Sequence, residues 1–189
     1  IREAYKKGME VQIEFERRFK ERIEGFIKER DDKIFVVMGR PYNILDPFLN
    51  LNLFEHMRKL GLVAVPSFLL FKINGKSEIP WFYPSRSHIL SNFLPNQEKF
   101  VPILLSNFGC APDAFTFRHI ESNLKDKPYL ILEFDEHRAE TGMITRIEAF
   151  IDQLNHQGEK KFKQLFKKEL EEPEKDEKIL IPYFADSVY

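Results

Sequence analysis

The sequence predicts a three-layer α/β fold, a four-stranded parallel sheet with helices on its faces, and three observations lead there. Four short apolar runs rich in β-branched and aromatic residues recur at Lys33–Met38, Leu62–Val65, Phe100–Ser106 and Tyr129–Phe134, the pattern of buried strands. Each is followed by a stretch with helical periodicity or helix punctuation, and such alternation builds parallel sheets through right-handed crossovers. The chain has 189 residues, 43% of them apolar and 19 of them Phe, enough for one core that leans on aromatic rings.

Residues 1–31 read as one long helix, with Phe15, Phe19, Ile23, Phe26 and Ile27 as its apolar stripe and Asp31-Asp32 as its end. The first strand runs into a loop, Gly39–Asn43. A helix is then expected from an Asp46 N-cap and Pro47 in first position to Gly61, burying Leu49, Leu53, Met57 and Leu60. The second strand ends at Pro66. Residues 67–99 read as a connection over the sheet, holding Phe68, Phe71, Trp81, Phe82 and Tyr83 with Pro80 and Pro84 as breakers. Within it Ser85 is expected to cap a helix to about Leu94, turning Ile89, Leu90 and Phe93 inward.

Pro102, near the start of the third strand, weakens a central position for it without forbidding one. A turn, Asn107–Asp113, and a helix to Leu124 follow it. After the fourth strand come Asp135–His137 and a helix through Leu154, with Ile144, Ile147, Ile151 and Leu154 on its apolar face and Thr145 and Glu148 at capping-box spacing. We expect the main domain to cover residues 1–157, a charged linker helix 158–178, and the opening of a following domain 179–189.

Lys and Arg number 29 against 30 Asp and Glu, which removes the electrostatic case for nucleic acid. The single cysteine, Cys110, rules out an internal disulfide. No apolar run has the length to span a bilayer and no signal-peptide core is present. The chain opens on Ile1 without an initiating methionine. The expectation is a piece of a longer cytoplasmic chain.

In an open parallel sheet all strand-to-helix turns share one edge, where ligands bind. The loops Gly39–Asn43, Asn107–Asp113 and Asp135–His137 are therefore expected to converge. In the first, Gly39 permits a tight turn and Arg40 offers a planar cation for phosphate or carboxylate; the other reading of Arg40 is an ion pair with Asp46 or Asp135 that only ties loops together. In the second, Cys110 precedes Pro112 at a helix start, a setting that favours a thiolate; the other reading is a buried, inert cysteine. In the third, Glu136 and His137 offer acid–base chemistry, or merely hydrogen bonds between loops. His56 reads as solvated beside Glu55, and His88, His119 and His156 show no metal spacing. The aromatic run Trp81–Tyr83 reads as core or as a lid.

The segments VVMGRPYN with DPFLN, SNFGCAPDAF, and LEFDEHRAETGMITRIEAF, in that order, resemble a domain of the large activase-related proteins. Those proteins join ATPase activator modules of the BadF/BcrA type to segments like 2-hydroxyacyl-CoA dehydratase subunits. The tail KILIPYF resembles the start of the next dehydratase-like domain. The resemblance implies a Rossmann-like domain and, in the full-length protein, an iron–sulfur cluster used for ATP-driven one-electron chemistry. It implies Cys110 as a metal ligand, Glu136 and His137 as catalytic groups, and Gly39, Arg40, Tyr42, Asp113 and Arg146 as cofactor-binding residues. Ala111 stands where the family usually has Gly. The implied partners are other domains of the same chain, an ATP-dependent activator module and a CoA thioester. No ATPase motif lies in this sequence, so ATP binding is not assigned to it. Two further readings stand beside the redox one: a non-catalytic docking domain, and a binder of a CoA-like phosphate through Arg40 and helix N-termini.

Overall fold

A computed structural model describes residues 1–70 and 75–157 of the 189. The expected linker helix and opening of a following domain, residues 158–189, and Phe71 lie outside the described residues. The elements run α1 (Arg2–Lys28), β1 (Ile34–Met38), α2 (Pro41–Leu45), α3 (Leu53–Lys59), β2 (Val63–Pro66) and α4 (Ser67–Leu70). After them come α5 (Phe82–Phe93), a 3-10 turn (Leu94–Asn96), β3 (Phe100–Asn107), α6 (Ala111–Leu124), β4 (Leu130–Phe134) and α7 (Glu140–Gln157).

The four strands form one parallel sheet in the order β2-β1-β3-β4. All five residues of β1 are buried, because helices cover both faces. Alternation sends Phe35 and Val37 to one face, where α3 contributes Leu53 and Met57 and α7 contributes Met143, Ile147, Phe150 and Ile151. It sends Val36 and Met38 to the other, against Leu90 of α5 and Ile120 and Leu124 of α6. Each fully buried side chain of this kind stabilises the fold by about 1.5–3 kcal/mol. No helix among the described residues is long and apolar enough to cross a membrane.

Pro102 sits in a central strand, the placement that its position near the strand's start left open. Ile34 N donates to Lys99 O, so odd-numbered residues of β3 face β1 and Pro102 faces β4. Pairing with β4 begins only at Ile103 with Leu130. The missing donor therefore falls just ahead of the ladder and costs it nothing.

The helix expected from Asp46 to Gly61 is instead two short ones. Pro41 starts α2 within what the sequence suggested was loop. Asp46 Oδ1 does accept from Phe48 N at 2.8 Å, but the turn it caps is stopped by Leu51 and Asn52, both left-handed at φ 54° and 53°. Buried Asn50 stabilises that break, its Nδ2 donating to Ile44 O at 2.7 Å and its Oδ1 accepting from Leu53 N at 3.2 Å. Leu49 consequently lies exposed rather than in a buried stripe. Gly61 ends α3 as expected, with φ 73°.

Two other starts differ. Trp81, not Ser85, is the N-cap of α5; Pro84 fits in the first turn, where an N–H has no helical partner anyway, and Phe93 is outward-facing. Thr145 lies inside α7 and donates to Thr141 O at 2.9 Å, so no capping box forms there.

Among the described residues, the long helix α1 is anchored at one end only. Ile23 and Ile27 pack against Ile34, Val63 and Val65, and the Lys99 ammonium donates to the carbonyls of Ile27 and Arg30 at the helix exit, where a cation opposes the helix dipole. None of its residues is fully buried, and Tyr5, Val11 and Ile13 are exposed.

Candidate functional site

The strand order reverses between β1 and β3, and the crevice at such a switch point is where open α/β sheets bind ligands. Gly39 leaves β1 with φ 156°, and a Cβ there would stand 2.5 Å from Leu105 O of β3. Glycine is thus required for the two strand ends to lie this close. Arg40 follows in extended conformation as the N-cap of α2, and Pro41 takes the first helical position.

Across the crevice, Asn107 leaves β3, Gly109 turns left-handed at φ 73°, and Cys110 is the N-cap of α6 with Pro112 inside the first turn. Arg40 Nη2 donates to Cys110 Sγ at 2.8 Å and lies 3.1 Å from Asp113 Oδ1. Buried Ser106 donates to the other carboxylate oxygen at 2.6 Å. Asn43 Nδ2 donates to Asn107 Oδ1 at 2.6 Å, binding α2 to the same turn. Burial alone would lower the Arg40 pKa; the bond to Cys110, the charge of Asp113 and neighbouring Tyr42 outweigh it and raise the pKa above its ordinary value.

The ion pair foreseen for Arg40 therefore exists, but with Asp113 rather than Asp46 or Asp135. Gly39, Arg40, Tyr42, Cys110 and Asp113 are brought together. The cavity beneath them, bounded by Gly39, Arg40, Ser87, Asp113 and Thr116, has about 10 Å³ of space, suited to one water molecule rather than an organic ligand. Anything larger must sit on top of the corner, among exposed Tyr42, Phe108 and Phe115.

Asp135, Glu136 and His137 stand on the same sheet edge after β4, all exposed, with ligand atoms within 4.8 Å of one another. His137 Nδ1 lies 3.3 Å from Asp135 Oδ2 and 3.8 Å from Glu136 Oε1. The loop is fastened by Arg138, which stacks 3.6 Å over the Phe48 ring and donates to Phe48 O. Glu136 and His137 thus share the edge without bonding to Arg40 or Cys110. Arg146 is placed elsewhere: its Nη2 donates to Ile131 O at 2.7 Å. Phe134 O faces β3, accepting from Phe108 N, so alternation leaves Ile131 O on the outer edge of β4.

Three contacts escaped the sequence reading. His56 is not solvated beside Glu55 but meets Glu140 at the start of α7, Nε2 to Oε1 2.7 Å. His88 and His119 face each other between α5 and α6, ring centroids 5.8 Å apart. Trp81 packs edge-on against Phe115 at 5.9 Å, forming part of the rim beside the corner rather than core. Each joins residues far apart in sequence, and no local spacing signals it.

Residues 1–69 match the family model of the CoA enzyme activase uncharacterised domain, which bears out the resemblance to activase-related proteins. The matched span holds Gly39, Arg40 and Tyr42 and stops before Cys110. No curated protein and no solved structure matches the chain.

Proposed function

We propose that the chain is an α/β domain of a larger cytoplasmic, 2-hydroxyacyl-CoA dehydratase-like iron–sulfur protein, and that its switch-point corner presents Cys110 as one ligand of a cluster. The observation that carries this reading is the 2.8 Å contact between Arg40 and Cys110, made across 70 residues at the edge where the strand order reverses. The sequence holds a single cysteine, which fits one corner of a cluster; the remaining ligands belong to other domains of the longer protein or to a second subunit. When bound, such a cluster supplies one-electron chemistry. The work of this chain is to hold the sulfur: Arg40 orients it, Asp113 and Ser106 fix Arg40, and the turn at Gly109 places it at the head of α6. Glu136 and His137, exposed on the same edge, are the groups available to move protons to or from a CoA thioester there.

A second reading, a docking face for an ATP-dependent activator module, is favoured by Phe108 and Phe115, which are 77% and 52% exposed beside Cys110. Capture of a CoA-like phosphate by Arg40 is disfavoured, because Asp113 already neutralises it. The deciding experiment is anaerobic purification of the full-length protein with and without Cys110→Ser. The cluster reading expects a loss of iron, sulfide and visible absorption in the variant. Unchanged iron and absorption refute it and leave the docking reading.

A further inference from the structure

The rim of the corner is linked to a pair of histidines that the reading above does not use. His88, on α5, accepts or donates at Nδ1 with Ser77 Oγ at 2.9 Å, and Ser77 Oγ also accepts from Ile79 N at 3.1 Å. His88 thereby clamps the segment that leads into Trp81. On its other side it faces His119 of α6 at 5.8 Å. His119 in turn packs on Phe115 at 5.0 Å, and Phe115 on Trp81 at 5.9 Å. Phe115 is two residues beyond Asp113, and Pro84 and Ser87 of α5 line the cavity under Arg40. One path of contacts therefore runs from Ser77 through both imidazoles to the rim.

We propose that His88 and His119 form an acid-sensitive latch, closed when the pair is neutral and loosened when both imidazoles are charged, which sets how tightly the Trp81 segment is held. Two imidazolium ions at this separation repel. Of the groups near His88, His119 comes from α6, while Ser77 and Glu78 come from the segment before α5. Burial, first, and His119, second, lower the pKa of His88 below its ordinary 6.5, with Glu78 opposing them. A lowered histidine pKa means that the native form binds fewer protons than the unfolded chain. The stabilisation is thus complete above pH 6.5 and drains away as pH falls through the native value. That the latch bears on function rests on the corner being the working site; the latch itself does not.

Trp81 is the only tryptophan, so the whole chain reports on the latch without a label. The test follows Trp81 emission and its quenching by acrylamide from pH 7.5 to 5, in wild type, His88→Gln and His119→Gln. Expected are a transition centred below pH 6.5 in wild type, its loss in His88→Gln, and a shift of its midpoint upward in His119→Gln, where the like-charged neighbour is gone. His119 is exposed, so that variant folds even if His88→Gln does not. A wild type with flat emission, or an unmoved midpoint in His119→Gln, overturns the latch while leaving the iron assay for Cys110 untouched.

Discussion

Replacing Gly39 by Ala tests whether the crevice is set by close approach of the two central strands. The new methyl would lie 2.5 Å from Leu105 O and 3.3 Å from Leu105 Cβ. The first neighbour is backbone in the middle of the sheet, so neither partner can swing aside. Overpacking of this kind costs about 1–3 kcal/mol, and the φ of 156° adds about 1 kcal/mol or more for an L-residue in a sparsely populated region. Together they predict a loss of about 3 kcal/mol, or about 6–12 °C in Tm for a chain of this size. Gly109→Ala is the control: its φ is 73°, but nothing lies within 4 Å of the added carbon, so it should lose only about 1 kcal/mol. Urea unfolding of both variants decides. A Gly39→Ala loss no larger than that of Gly109→Ala would show that the strand ends are not in obligatory contact.

Asn50→Ala should lose about 2–3 kcal/mol by urea unfolding, since it strands the buried Ile44 carbonyl and removes the bond to Leu53 N; a loss below 0.5 kcal/mol would contradict its bridging role. Along α1, Ile27→Ala should destabilise by about 1–2 kcal/mol while Ile13→Ala, 60% exposed, should stay within about 0.5 kcal/mol of wild type; equal losses would mean that the helix is anchored along its whole length. Burial, then the hydrogen bond to Glu121, hold the Tyr129 phenol above its ordinary 10.0. Its contribution to stability is present below pH 10 and lost as pH rises through the raised value, so the alkaline fall in stability should be shallower in Tyr129→Phe.

What the sequence made legible follows from local rules. Strands such as IFVVM are buried on both faces, so unbroken apolarity marks them without reference to the rest of the chain. The order of turns likewise places Arg40 and Cys110 on one edge before any contact is known. The exact break between α2 and α3 was hidden because Asp46 and Pro47 carry the signature of a helix start, and Asp46 does cap a turn. What overrides it is Asn50, whose two-sided bonding becomes visible only once Ile44 and Leu53 are buried around it. Pro102 left the placement of its strand open for a related reason: its cost depends on where a neighbouring strand begins. At the site, the choice of Asp113 over Asp46 and Asp135 as the partner of Arg40 depends on the pitch of α6, which carries Asp113 one turn from Cys110 and back toward the crevice. Asp135 and Glu136, at the end of an outer strand, are drawn instead into a loop fastened by Arg138 and Phe48.

The one-ended anchoring of α1 gives this helix two kinetic halves. Its last turns are held by Ile23, Ile27 and the Lys99 ammonium, so their amides open only when the sheet beneath them opens, with the protection of the core. The turns before Ile23 have, among the described residues, no buried side chain; they rely on their own ladder and on surface pairs such as Arg17 with Glu14 and Glu21, and they open more readily the farther they lie from the anchored end. Deuterium uptake along a single unbroken helix should therefore fall steadily from Arg2 toward Lys28. A partner that gripped the distal turns would abolish that gradient, so uptake by α1 doubles as a detector for whatever this arm meets.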